Sequence, residues 1–277
     1  MTLQSILEQI KARKSFLCVG LDPDLNKIPS HLAGKKNNIF EFNRQIIDAT
    51  QEFAIAFKPN IAFYECLGTE GWNQLELTVR YIREHYPELF LIADAKRGDI
   101  GNTSKKYAET FFKVFGFDAV TVAPYMGSDS VSPFLEYPGK WVILLALTSN
   151  PGAGDFQFLS TAPQEKLFEA VIKKSLTWGN HDNIMFVVGA TKASMLVNIR
   201  EIVPDHFLLI PGIGAQGGDL AEVTRYGMNK NVGLIVNSSR AIIHADSTEE
   251  FAVVAAAKAK EVQLQMEKLL SELGFIG

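Results

Sequence analysis

Short apolar runs of strand length recur along the whole chain, each separated from the next by a longer segment with helical signals. The runs cover residues 16–20, 54–57, 89–93, 119–123, 141–147, 184–188, 207–210 and 233–236. Between them, residues 39–53 carry Phe42, Ile46, Ile47 and Ala49 at helical spacing, and residues 164–176 carry Leu167, Phe168, Val171 and Ile172. The last helical segment, 247–273, opens with Ser-Thr-Glu-Glu, which reads as an N-cap followed by first-turn acids. Eight strand-helix units predict an α/β fold, a (β/α)8 TIM barrel formed by residues 1–277 as one domain. An open doubly wound sheet is the alternative. No Pro, Ser or charge run marks a linker, and there is no short-period repeat.

The chain has 277 residues, 47% of them apolar and 21% charged, enough for one large core. A net charge of -4 gives no overall basic field for nucleic acid or anionic lipid. A phosphorylated ligand must therefore be held by a local site, and the expected partner is a small molecule. Cys18 and Cys66 follow no metal-ligand or redox spacing. His31, His85, His181, His206 and His244 are scattered without ligand spacing and read as non-catalytic. Cys66, Trp72 and Tyr64 read as packing residues. Residues 1–14 read as an amphipathic helix, not as a signal peptide, and no apolar run reaches membrane-spanning length, so a soluble cytoplasmic protein is expected.

In a barrel, chemistry gathers where the C-terminal ends of the strands converge. The polar residues that follow the runs are Asp22 and Asp24 after the first, Lys58 and Asn60 after the second, and Thr148, Ser149 and Asn150 after the fifth. Asn237, Ser238, Ser239 and Arg240 follow the eighth. Pro124 and Tyr125, and Gly189 to Thr191, follow the fourth and sixth runs and read as pocket walls. After the seventh run, Gly212, Gly214 and Gly217 match G-x-G-x-x-G. A dinucleotide-binding reading fails, because the motif comes late in the chain and no acidic residue follows the next strand to hold a ribose. The glycines instead suit an anion approached by backbone N–H groups, with Arg240 supplying a guanidinium fork. The phosphate site expected after strands seven and eight falls here.

The most informative stretch is 91–103, L-I-A-D-A-K-R-G-D-I-G-N-T, where a buried strand ends in Asp94, Lys96 and Asp99 before a helix near Asn102. Residues i and i+2 of a strand project to one side, so Asp94 and Lys96 point together. Taken alone, the trio equally fits an ordinary ion pair and helix cap. The whole string, with Ile100 and Thr103 in place, resembles the signature of orotidine 5'-phosphate decarboxylase, and the resemblance runs from Asp22 to Arg240. The length and the Lys-Pro-Asn after the second run resemble the longer bacterial branch of that family.

The resemblance implies a charged tetrad at Lys58, Asp94, Lys96 and Asp99, and a homodimer in which Asp99 and Thr103 reach the neighbouring site. It places ribose contacts at Asp22 and Lys58, phosphate contacts at Gln216 and Arg240, and a pyrimidine-contacting hydroxyl at Thr148 or Ser149. It implies cofactor-free conversion of orotidine 5'-monophosphate to uridine 5'-monophosphate and CO2 in pyrimidine synthesis. Lys96, flanked by two carboxylates, would protonate C6. Residues 150–157, with Gly152 and Gly154, read as a lid or as a long surface loop. Magnesium-dependent barrel relatives share D-x-K-x-x-D but usually continue Ala-Gly, where this chain has Ile100 and Gly101. A silent phosphate-ligand binder and a lysine Schiff-base aldolase are the remaining rivals. The carboxylates disfavour the aldolase, because they hold the amine protonated.

Overall fold

Each of the eight apolar runs forms a strand in the computed structural model, which describes residues 1–162, 164–213 and 219–277. The strands are β1 (Leu17–Leu21), β2 (Ala56–Pro59), β3 (Phe90–Arg97), β4 (Ala119–Val122), β5 (Trp141–Leu147), β6 (Ile184–Val188), β7 (Leu208–Pro211) and β8 (Leu234–Ser238). All eight pair in parallel, each with its sequence neighbour, and β8 returns to β1 to close the barrel. β1, β2, β4, β6 and β8 are buried at every residue. That is why they read as continuous apolar runs: helices cover the outer face and side chains fill the inner one.

The strands run further than their apolar stretches. β2 includes Lys58 and Pro59, β8 includes Asn237 and Ser238, and β3 carries on past Ala93 to Arg97. The backbone ladder tolerates a polar side chain once that side chain points into the open mouth, so polarity changes before the strand stops. Against β4, β3 shifts register between Ala93 and Arg97.

The helices lie close to their expected positions, with corrections. The last one is Phe251–Glu272, capped by Glu250 without a side-chain bond. The expected Ser-Thr cap is displaced because Thr248 turns back on Asp246, whose Oδ1 accepts from the Thr248 amide at 2.7 Å. Helix Leu167–Ser175 starts late because residues before it form a short antiparallel pair, Ser160–Ala162 with Glu165–Lys166. Cys18 and Tyr64 are buried, whereas Cys66, expected to pack, is exposed at the end of the four-residue helix Ala62–Glu65.

The floor of the barrel is sealed from below. Helix Leu3–Arg13 buries Ile6 and Ile10. The Met1 ammonium donates to the Gly139 carbonyl at 2.9 Å, and the Trp141 indole donates to the Met1 carbonyl at 3.0 Å. Among the described residues no helix is long and apolar enough to cross a membrane. The accessible end is the one where the strands finish.

Candidate active site

Asp94 is the hub of that end. Its Oδ2 lies 2.8 Å from Lys58 Nζ and its Oδ1 lies 2.6 Å from Lys96 Nζ. Lys58, on β2, is only 4% exposed, whereas the Lys96 side chain is about half exposed and faces the cavity. Burial alone would raise the Asp94 pKa, but the two ammonium groups outweigh it and hold the carboxyl well below the usual carboxylate range. Burial would likewise lower the Lys58 pKa, but Asp94 and Asp22 outweigh it and hold the ammonium above its ordinary value.

Two cavities open at the mouth and share Lys58, Asp94 and Pro211 in their walls. The larger, of about 380 Å³, brings Lys96, Thr148 and Ser149 against the apolar side chains of Leu145, Val187 and Leu209. The smaller, of about 140 Å³, is lined by Asp22, Asn237, Ser239 and Arg240. The close approach of the loop after β8 depends on Gly20: a Cβ there would lie 1.7 Å from Ser239 Oγ. Likewise Ser149 packs on Gly189, where a Cβ would come within 2.8 Å of it.

Asp22 Oδ1 and Asn237 Oδ1 are buried acceptors without a hydrogen-bond partner among the described residues. Two such acceptors beside one cavity suit a ligand that brings hydroxyl donors. Sequence reading placed Asn237 at a strand end but assigned it no role; the one signal available was its position beside Arg240.

The loop after β5 is held back on itself. The Thr148 amide donates to Gln157 Oε1 at 2.8 Å, Gln157 Nε2 donates to Thr148 Oγ1 at 2.8 Å, and Thr148 Oγ1 donates to Asn150 Oδ1 at 2.6 Å. Pro151–Asp155 between them forms a 3-10 turn.

Within its own chain Lys96 touches one carboxylate, that of Asp94; Asp99, expected to serve a neighbouring site, is half-buried and lines neither cavity, and its Oδ1 accepts from the Ile100 amide at 2.7 Å. Thr103 is exposed on helix Gly101–Glu109 and also lines neither cavity. Gln216 and most of the glycine motif lie outside the described residues. None of the five histidines lines either cavity. Among the described residues no group of three or more His, Cys, Asp or Glu side chains is placed to hold a metal ion.

A family model described as "Orotidine 5'-phosphate decarboxylase / HUMPS family" matches residues 15–254. The orotidine 5'-phosphate decarboxylase of Phocaeicola vulgatus is 61% identical over 272 residues, covering 98% of this chain and 100% of the relative. That of Bacteroides fragilis is 61% identical over 273 residues, 99% of this chain and 100% of the relative. Among solved structures, the OMP decarboxylase of Leishmania donovani superposes with a TM-score of 0.83 at 35% identity, covering 97% of this chain and 98% of that one. The family match spans all eight strands, and identity at this level holds over nearly the full length of both chains: the chain belongs to the orotidine 5'-phosphate decarboxylase family.

Proposed function

We propose that this chain is a carboxy-lyase that converts orotidine 5'-monophosphate to uridine 5'-monophosphate and CO2 without a cofactor, with Lys96 delivering the proton to C6. The observation that carries the reading is the Lys58, Asp94, Lys96 array, set between an apolar cavity and a polar one that ends at Arg240. The larger cavity suits a planar pyrimidine, and the smaller suits ribose hydroxyls at Asp22 and Asn237 with phosphate toward Arg240; Gln216 enters only as a phosphate contact that the family resemblance implies.

In the step itself, the bond between C6 and the carboxylate carbon breaks and its electron pair stays on C6 as CO2 leaves. A fixed ammonium at Lys96 stabilises that charge, then gives a proton to C6 and is reprotonated from water. The Asp94 carboxylate holds the Lys96 head group in place. Binding energy at the distant phosphate can be spent on ordering residues 150–157 over the ligand. A phosphorylated nucleotide does not cross membranes unaided, which supports a cytoplasmic location.

The reading also includes a homodimer. Asp99 and Thr103 lie outside their own chain's cavities, Ile100 between them is exposed, and exposed Met126 reaches to within 3.9 Å of where a Cβ on Gly98 would lie, apolar surface suited to a second copy. Mixing inactive Lys96→Ala and Asp99→Ala proteins under exchange should restore about a quarter of wild-type activity, because each mixed dimer holds one complete site. No recovery despite exchange would sink the shared site.

The test of the activity is loss of orotidine 5'-monophosphate absorbance in excess EDTA, with Lys96→Ala alongside. Turnover in wild type alone supports both activity and proton donor. No turnover by folded wild type overturns the assignment and favours the magnesium-dependent reading. Turnover by both proteins keeps the activity and removes Lys96 from the mechanism.

A further inference from the structure

Lys96 has a φ of +46°, in the left-handed region that a side chain with a Cβ rarely enters, and it does so inside a barrel strand. The register of β3 on β4 slips between Ala93 and Arg97, and the ladder resumes where the Ala123 amide donates to the Arg97 carbonyl at 2.8 Å. Lys96 therefore sits in a bulge, and its amide points away from the backbone acceptors of β4. The amide is met instead by a side chain. Thr121 Oγ1 accepts from Lys96 N at 2.9 Å and donates its own proton to Asp94 Oδ1 at 3.1 Å. Thr121 is 1% exposed where it borders the larger cavity, and both bonds are partly buried. The carboxylate oxygen it holds is the one that pairs with Lys96 Nζ.

We propose that Thr121 is a positioning residue for the decarboxylation: its hydroxyl clamps both ends of the Lys96 side chain, the strained backbone from which it springs and the Asp94 oxygen that holds its ammonium. One hydroxyl fits this task because it accepts and donates at once. A valine of the same shape would keep the strand and its packing, yet leave the Lys96 N–H unpaired and Oδ1 short of a donor. Strained backbone of this kind persists only where its surroundings over-determine it. Asp94 and Lys96 could be expected from their place in the strand; Thr121, in a run reading A-V-T-V, looks like an ordinary β-branched strand residue.

The inference rests on Lys96 as the proton donor, so the experiment carries Lys96→Ala as a reference. Steady-state kinetics on orotidine 5'-monophosphate are measured for wild type, Thr121→Val, Thr121→Ser and Lys96→Ala, each first checked for folding by circular dichroism. Thr121→Val should lose about 10- to 100-fold in kcat with KM within about three-fold, the cost expected when a reacting group is displaced by a fraction of an ångström. Thr121→Ser, which keeps the hydroxyl, should recover most of that loss. If Thr121→Val does not fold, Thr121→Ala against Thr121→Ser makes the same comparison. An unchanged kcat in Thr121→Val with Lys96→Ala inactive overturns the clamp alone. A rise in KM at constant kcat also overturns it, by leaving Thr121, which lines the larger cavity, as a ligand contact and nothing more. Activity in Lys96→Ala overturns the reading of Lys96 and the clamp with it.

Discussion

Lys58 and Asp94 form a buried ion pair, Nζ to Oδ2 at 2.8 Å, with side-chain exposures of 5% and 12%. A pair this deep is held by mutual need: each charge would be costly alone, and each is tolerable because the other is fixed by its own strand.

Removing one partner should therefore cost far more than removing both. Asp94→Ala is expected to lose about 3 kcal/mol of stability in urea unfolding, the low end for an orphaned buried charge, because Asp22 still offsets part of the Lys58 field. The double variant Lys58→Met, Asp94→Leu should regain most of that stability and have no activity. The pairing contribution of Asp94 is present in full at neutral pH. Because its carboxyl is held below the usual range, that contribution is lost only as pH falls below about 4. Equal stability losses in the single and double variants would contradict this account.

Arg240 is exposed at the start of the short helix Arg240–Ile243, beside the smaller cavity. Arg240→Ala should lower kcat/KM for the phosphorylated substrate by about 10- to 100-fold, the usual worth of a charge-assisted bond to phosphate. With unphosphorylated orotidine the two proteins should be equally slow. An equal proportional loss on both substrates would mean that the guanidinium acts elsewhere.

The barrel was legible because a parallel strand covered on both faces leaves a signal that needs no context: five strands are buried at every residue, and apart from Thr121 their polar residues, Lys58, Asn237 and Ser238, come only at the mouth. Lys58, Asp94 and Lys96 were legible because charge stands out where such a run ends. Thr121 and Asn237 were not, since a hydroxyl or amide on a strand acquires meaning only from what faces it across the barrel. The Ser160–Ala162 pairing was missed because it is short and exposed, so no apolar alternation marks it. Thr103 and the cross-subunit role of Asp99 entered only through resemblance; nothing in the geometry of one chain points either side chain at the cavity.

Gln157 fixes the loop after β5 by bonding both the amide and the hydroxyl of Thr148, a residue that lines the larger cavity. Gln157→Leu keeps the bulk and removes both bonds. About 30-fold lower kcat/KM is expected, from two bonds of roughly 1 kcal/mol each, with proteolysis of residues 150–157 faster than in wild type. Saturating product should slow that cleavage in both proteins. Wild-type kinetics in the variant would reduce the loop to a surface connection.

His206 sits at the floor, just before β7, 8% exposed, with neither ring nitrogen bonded among the described residues. Burial pushes its pKa down from 6.5 to about 4; His181 and Arg200 add to the effect, and Asp205 opposes it. The unfolded chain takes up this proton as pH drops through about 6.5, whereas the folded chain refuses it until about 4, so stability is full above that window and falls within it. The whole loss is on the order of 3 kcal/mol. Phe186 lies with its ring centroid 5.5 Å away, so an apolar ring suits the site. His206→Phe should be at least as stable as wild type at pH 7, and at pH 5 it should exceed wild type by about 2 kcal/mol, a Tm gap of about 4–8 °C. Turnover at neutral pH should not change, because the ring lines neither cavity at the mouth. A Tm gap that stays constant from pH 7 to pH 5 would show that the buried imidazole is not the group whose proton the fold excludes.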